Sequence, residues 1–263
     1  MLEKQAVYYM KDAVFAAADV LKAHDAQGAG EAAVNALLKI WFSEQSTPFA
    51  LLSDSLAVPV LARSLTQLDD YSNHSALNNG VCFVICSLSG RGAHARGLRD
   101  SCIAAAYIEG KEIKAAMVFD PSHAELFHAV KSLGAYMNGK SIGVSRCESI
   151  TDAYVSFDHN TLRTGKEAAL RSLVSQAYNV RTGAAFSLSL CHLASGRIDA
   201  VIGRSQSFID AVAGRLIAQE AGAMLLGFDG KPLPPISEIG ERMSLAAVSP
   251  GIKQEMSELL SAL

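Results

Sequence analysis

Apolar residues near the N-terminus recur at helical spacing, with Ala13, Ala16, Ala17, Val20 and Leu21 on one side of a helix predicted over residues 3–24. A second stripe, Ala33, Leu37, Leu38 and Trp41, predicts a helix from Gly30 to about Phe42. Ser46, Thr47 and Pro48 interrupt it, and the apolar run Phe49–Leu52 reads as a short strand. Residues 53–80 are rich in Ser, Asp and Asn; a loop around a short helix near Val58–Leu68 is predicted there. The pattern then alternates. Val81–Ile85, Ser101–Ile108, Ile113–Phe119 and Glu125–Ala129 are strand-like and separated by turn signals at Gly90–Gly97, Glu109-Gly110-Lys111 and Asp120-Pro121. Consecutive strands on short turns predict an antiparallel sheet.

After Asn138-Gly139 the pattern changes again. Strands at Tyr154–Phe157, Asn179–Arg181 and Ala200–Ile202 alternate with helices over 165–176, 184–195 and 209–222, the second closed by Gly196. The chain therefore divides into an N-terminal α+β half, residues 1–147, and a C-terminal α/β half, residues 148–263, packed as one unit. Neither an internal repeat nor a low-complexity tract is visible.

Composition narrows this picture. Of 263 residues, 50% are hydrophobic and 19% charged, the balance of a globular chain with a sizeable core. No run of 18 apolar residues predicts a transmembrane helix, and the N-terminal segment reads as an amphipathic helix with no signal-peptide cleavage site. A net charge of −3 argues against general affinity for nucleic acid or anionic membrane. The five cysteines, Cys82, Cys86, Cys102, Cys147 and Cys191, are odd in number and scattered, unlike a zinc knuckle or a disulfide framework. They point to a reducing, cytoplasmic compartment.

Three stretches carry a resemblance. Ile108–Ser145 contains IEGKEIKAAMVFDP, ELFHAV and LGAYMNGKSIGVS; Val180–Asp199 reads VRTGAAFSLSLCHLASGRID; Ile209–Gly230 reads IDAVAGRLIAQEAGAMLLGFDG. Together they resemble the inositol-monophosphatase family, magnesium-dependent, lithium-sensitive sugar-phosphate phosphatases. The resemblance implies a layered α+β / α/β sandwich (αβαβα), and a homodimer as is usual in the family. It also shows what this chain lacks. In the family a Glu-Glu pair, an Asp-Pro-x-Asp-Gly-Thr loop and the Asp of a Trp-Asp pair hold two or three magnesium ions. Counting back from the strand at 101–119, that loop falls on Cys86-Ser87-Leu88-Ser89-Gly90-Arg91. Cys86 and Ser89 then stand where two aspartates belong, Arg91 stands at the threonine, and Ser55 replaces the upstream ligand acid. Only Asp210 survives; Asp54, Asp69 or Asp70 are the acids that could stand in for the lost ligand. Hard divalent cations need several anionic oxygens, and a thiol is too soft a donor for magnesium. The resemblance thus implies a degenerate metal site with no cofactor expected, and Arg91 filling the vacated cation position to bridge Asp210.

The same residues carry other readings. The loop from Gly90 to Arg99 gathers Arg91, Gly92, His94 and Arg96 and could cradle a small phosphorylated or otherwise anionic ligand. Cys86 to Arg91 superficially resembles a cysteine-phosphatase loop but has four intervening residues instead of five, and a strand soon follows where that loop needs a helix. Ser87-Leu88-Ser89-Gly90 lacks the first glycine of a nucleophile elbow. His192 reads as a core histidine, and Asp158-His159-Asn160 follows a strand where the family places substrate-recognition residues. The expectation is a pseudo-phosphatase that acts by binding or regulation. The alternatives are an active magnesium-dependent phosphomonoesterase with atypical ligands, and an enzyme of new chemistry on an anionic substrate.

Overall fold

A computed structural model describes residues 2–23, 25–45, 48–57, 59–70, 80–161 and 167–262. The first helix, α1 (Leu2–Leu21), buries Ala6, Tyr9, Met10, Ala13, Val14, Ala17 and Leu21, a stripe at three- and four-residue spacing. Ala16, at the margin of that stripe, is only half-buried. Helix α2 (Ala26–Glu44) begins earlier than its apolar stripe suggests, because Asp25 caps it by accepting from Gly28 N at 2.9 Å. Both helices lie on one face of a nine-stranded sheet. Trp41 sits at the centre of that layer, edge-on to Tyr9, Phe49 and Phe83.

The strands of that sheet are β1 (Phe49–Ser53), β2 (Val60–Ala62), β3 (Leu68–Asp70), β4 (Val81–Ser89), β5 (Cys102–Glu109), β6 (Glu112–Asp120), β7 (Glu125–Val130), β8 (Ala135–Met137) and β9 (Lys140–Ile142). Their spatial order is β3-β2-β1-β4-β5-β6-β7-β8-β9. Every pairing is antiparallel except β1 with β4, which run parallel, Ala50 opposite Cys82 and Ser53 opposite Ile85. The predicted helix near Val58–Leu68 is not formed: residues 60–62 and 68–70 make a hairpin on β1, with Ala62 buried against Phe49, and Val58 lies outside the described residues. Backbone groups along the edge of β1 need partners, and a second strand supplies them where an exposed polar helix would not.

On the other face lie helices α5 (Phe186–Ala194) and α6 (Phe208–Glu220), sandwiched between the nine-stranded sheet and a five-stranded one. The second sheet comprises β10 (Tyr154–Phe157), β11 (Asn179–Thr182), β12 (Ala200–Gln206), β13 (Met224–Leu226) and β14 (Met243–Val248), in the order β11-β10-β12-β14-β13. Two outer helices, α4 (Glu167–Gln176) and α7 (Lys253–Ala262), cover its far face through Leu173, Met256 and Leu260. Helix α3 is a single turn, Arg91–His94, between β4 and β5. The layers run helix, sheet, helix, sheet, helix, the αβαβα sandwich.

Turn chemistry agrees with the sequence where it is sharpest. Asn138 and Gly139 adopt φ 49° and 77° between β8 and β9, and Gly196 ends α5 at φ 71°. All five cysteines are free thiols. Among the described residues no helix is long and apolar enough to cross a membrane.

Candidate functional site

The site is assembled where parallel strands end side by side. Because β1 and β4 run in the same direction, the turn after Ser53 and the last residues of β4 emerge together. Strand β4 carries one extra residue relative to β5, since Cys86 pairs with Ala104 but Ser89 with Cys102. That bulge re-aims Ser87 towards the β1 turn. There Asp54 is multiply bonded. Its Oδ1 accepts from Ser87 N at 2.9 Å, and its Oδ2 accepts from Ser87 Oγ at 2.9 Å and from Arg91 Nη2 at 2.6 Å. Ser55 Oγ lies 2.9 Å from Ser53 Oγ in the same turn. The first turns of α2 close the cluster from above. A Cβ on Gly30 would lie 2.5 Å from Ser55 Cβ and 3.3 Å from Ser87 Oγ, so only glycine lets the helix come this close.

Arg91 therefore pairs with Asp54, not with Asp210 as the sequence suggested. Nothing local in the sequence gives that partner away, since the two residues are 37 positions apart and meet only through the β1–β4 pairing.

Asp210 sits in the first turn of α6, and Ser187 Oγ donates to its backbone carbonyl. Burial pushes the pKa of its carboxyl above the usual 3.8, and the charge of Asp54 adds to this. The hydroxyl of Ser89 and the backbone of Ser187 and Phe186, at the start of α5, pull it partly back. Ser89 Oγ is near Asp210, but among the described residues neither it nor Asp210 Oδ1 makes a well-formed hydrogen bond, and both atoms are buried. Cys86 stands beside both acids, its Sγ 4.0 Å from Asp54 Oδ2. Burial, then the charges of Asp210 and Asp54, hold its thiol well above the ordinary range, with Arg91 opposing only in part. A thiol so disposed is a poor nucleophile. A single helical turn, α3, begins at Arg91, and strand β5 follows from Cys102 as expected, where a cysteine-phosphatase loop would lead into a longer helix.

The basic loop does not gather its cations around one point. Gly90, at φ 76°, turns the chain where a Cβ would meet Asp100 O at 2.4 Å. Arg91 reaches Asp54, while Arg96 folds back to donate to Gly92 O at 2.9 Å. His94 closes α3 and is half-buried. Asp100, unmarked by any motif, ties the loop to the start of α5 by accepting from Ala184 N at 2.8 Å, with Arg181 3.7 Å away. The remaining acids are elsewhere: Asp69 is held by Arg63 in the β2–β3 hairpin, and the side chain of Asp70 lies outside the described residues. Asp158 is occupied in a turn, accepting from the backbone N–H of Asn160, Thr161 and Arg204. His192 is half-buried, its pKa pushed down to about 4 by desolvation and then by Arg181 and Arg197.

The arrangement thus joins Ser53, Asp54, Ser55, Cys86, Ser87, Ser89, Arg91 and Asp210. Ser87 among them, and Gly30 of α2, which packs on Ser55 and Ser87, are contributions that the motifs did not single out; the place of Gly30 at the predicted helix start is the hint of the latter.

Comparison with known proteins agrees with the layered fold. The model of the inositol monophosphatase family matches residues 93–260. A relative named Nus factor SuhB, from Xylella fastidiosa, is 27% identical over 252 residues, covering 91% of this chain and 88% of that one. An inositol-1-monophosphatase from Bacillus subtilis is 26% identical over 182 residues, 68% of this chain and 67% of that one. Among solved structures, the inositol monophosphatase from Anabaena (Nostoc) superposes with a TM-score of 0.80 at 22% identity, over 99% of this chain and 96% of that one. The extragenic suppressor protein suhB of Bartonella henselae superposes with a TM-score of 0.77 at 18% identity, over 97% and 99%. On the family match across most of its length, this chain belongs to the inositol monophosphatase family.

Proposed function

We propose that this chain is a non-hydrolytic member of its family, which has kept the fold and turned the metal site into a polar cluster tied together by the Asp54–Arg91 pair. The observation that carries this reading is the set of three hydrogen bonds that Asp54 accepts from Ser87 and Arg91. A guanidinium 2.6 Å from the carboxylate offsets the charge a metal would need and repels any cation approaching it. The magnesium implied by the family does not fit the donors that remain. Two or three divalent ions bring four to six positive charges and require several carboxylate oxygens. Here Asp54 is already paired, Asp210 is a single carboxyl whose pKa burial raises, and the other donors are hydroxyls and one thiol. Among the described residues no group of three or more His, Cys, Asp or Glu is placed to hold a metal ion. A relative named for something other than hydrolysis, Nus factor SuhB, fits a family in which the scaffold also serves non-hydrolytic roles.

The test is a calorimetric magnesium titration run beside a phosphatase assay over a panel of phosphomonoesters. The expected result is no saturable magnesium binding and no turnover. Turnover that depends on saturable magnesium would overturn the reading. A second reading, a magnesium-dependent phosphomonoesterase with atypical ligands, draws on one observation: Asp210 Oδ1 and Ser89 Oγ are buried oxygens without partners, as ligands awaiting an ion would be. It predicts saturable magnesium binding and turnover by the native chain, with tighter binding in Arg91→Ala, which frees Asp54. The first reading instead requires the carboxylates to be restored, by Cys86→Asp, Ser89→Asp and Ser55→Glu together, before any metal is held.

A further inference from the structure

Helix α6 carries a second buried charge outside the Asp54–Asp210 cluster. Arg215 is 8% exposed, and no carboxylate pairs with it among the described residues. One of its five donors is used well: Nη2 donates to Pro234 O at 2.9 Å. Among the described residues Nη1 meets only the sulfur of Met243, at 3.7 Å, and Nε has no partner. Burial pushes its pKa down, and among the described residues the acids that line the neighbouring spaces, Glu109, Glu112, Glu238 and Glu241, form no ion pair with it. A guanidinium taken out of water without an anion is costly, and such a group persists where something else completes it.

What lies beside Arg215 says what that is. The side chain lines a cavity of about 820 Å³ between the β5–β6 hairpin, the outer turns of α6 and the chain leaving β13. Ile113, Leu216, Leu225 and Leu233 give it apolar walls, and Gln219 adds a neutral hydrogen-bonding group. Lys111 and Lys131 stand at its rim; the acids there are Glu109 and Glu112, of which Glu112 is already held by Lys131 and Lys114. On the far side of Pro234–Ile236, Arg215 also lines a smaller space of about 150 Å³. The segment Pro234-Pro235 therefore forms a stiff strap across the guanidinium, pinned by the Arg215–Pro234 bond and by Lys111 Nζ donating to Ser237 O at 2.6 Å.

From this geometry we infer that the Arg215 cavity binds a small amphipathic organic anion, with a carboxylate, sulfonate or phosphate on Arg215 and an apolar body against Ile113, Leu216, Leu225 and Leu233. The size suits a ligand of that class, and the fixed guanidinium fork suits a planar or tetrahedral oxyanion. The site is independent of the Asp54–Arg91 cluster and of whether the chain hydrolyses anything.

The test uses the full chain and two fluorescent probes of one shape, 8-anilinonaphthalene-1-sulfonate and the neutral N-phenyl-1-naphthylamine, titrated by fluorescence and calorimetry. The sulfonate is expected to bind at a single saturable site, at least tenfold tighter than the neutral probe. Arg215→Met is expected to remove that tenfold preference while leaving the near-ultraviolet dichroism unchanged and the melting temperature equal or higher. Leu225→Trp fills the cavity and keeps Arg215, so it is expected to abolish binding of both probes; it decides the matter if Arg215→Met does not fold. Absence of saturable binding to the native chain would overturn the inference. So would a sulfonate affinity that survives Leu225→Trp, or one that Arg91→Ala lowers and Arg215→Met does not.

Discussion

Asp54 and Arg91 form an ion pair whose halves differ in what they hold. Arg91 is half exposed, so its contribution to stability is screened by water, whereas Asp54 is mostly covered and also accepts from Ser87 N and Oγ. Arg91→Ala should lower stability by less than about 1 kcal/mol. Asp54→Ala strands two Ser87 donors and should cost about 1–3 kcal/mol; urea unfolding of the two variants checks the order. Asp210 gives a pH-dependent prediction. Its folded pKa is raised above 3.8, so the folded state holds the proton more tightly than the unfolded one. The stabilisation from the neutral form is complete below that value and fades as pH rises through the folded pKa. Asp210→Asn, which cannot ionise, should therefore be more stable than the native chain at neutral pH, with the gain shrinking to nothing as pH falls towards 3.8. A gain that does not change with pH in urea midpoints would show that ionisation of Asp210 is not the cause. At this scale the motifs pointed to Ser55, Cys86, Ser89, Arg91 and Asp210, which the structure brings together, but not to Gly30 or Ser87, nor to who bonds to whom. Arg91 stood out as a cation in a glycine-rich loop; its partner was hidden because Asp54 arrives by a strand pairing between distant segments.

The elements were more legible than the site they build, and the reason is periodicity. Helices α1, α2, α5 and α6 each bury a stripe broad enough to read from one sequence, and β5 to β7 are largely buried apolar runs set between turn-rich breaks. The β2–β3 hairpin failed that test because three-residue strands carry too few positions to show alternation, and their polar neighbours Ser64, Thr66 and Asp69 resemble a loop. Strand β14, whose Leu245–Val248 is wholly buried, merges with the apolar run around it in the same way. The contact of α5 with α6 decides where Asp210 points, and glycine makes that contact close. A Cβ on Gly214 would lie 2.8 Å from Ser187 Cα and 2.9 Å from Ser187 O, with backbone on both counts and no flexible tip to yield. Gly214→Ala should force the helices apart and cost about 1–3 kcal/mol, read as a lowered melting temperature. Displaced α6 would also free Asp210 from the start of α5, so the pH response described above should weaken in the same variant.

Over the whole molecule, helices α5 and α6 belong to two cores at once, packing on β4 to β6 through Leu188 and Leu216 and on β12 and β14 through Leu190 and Ala218. Neither sheet can lose its partner layer without exposing the shared helices. Trp41, the single tryptophan, lies in the outermost helical layer, far along the stack from α4 and α7. Its fluorescence and the far-ultraviolet dichroism of the whole chain should therefore fall together in urea as one transition; two separate midpoints would mean that the layers unfold independently.

The nine-stranded sheet begins and ends in strands of only three residues, β3 at one side and β9 at the other. A newcomer laid along either would find a ladder of one or two bonds, and would meet Asp69 at one side or Lys140 at the other. So much apolar ribbon, with Cys82 to Leu88 buried along β4, would be a template for fibre growth were it exposed lengthwise. Blunt, charged ends deprive it of that foothold, and the chain can keep a wide greasy interior in a crowded solution without its copies stacking edge to edge.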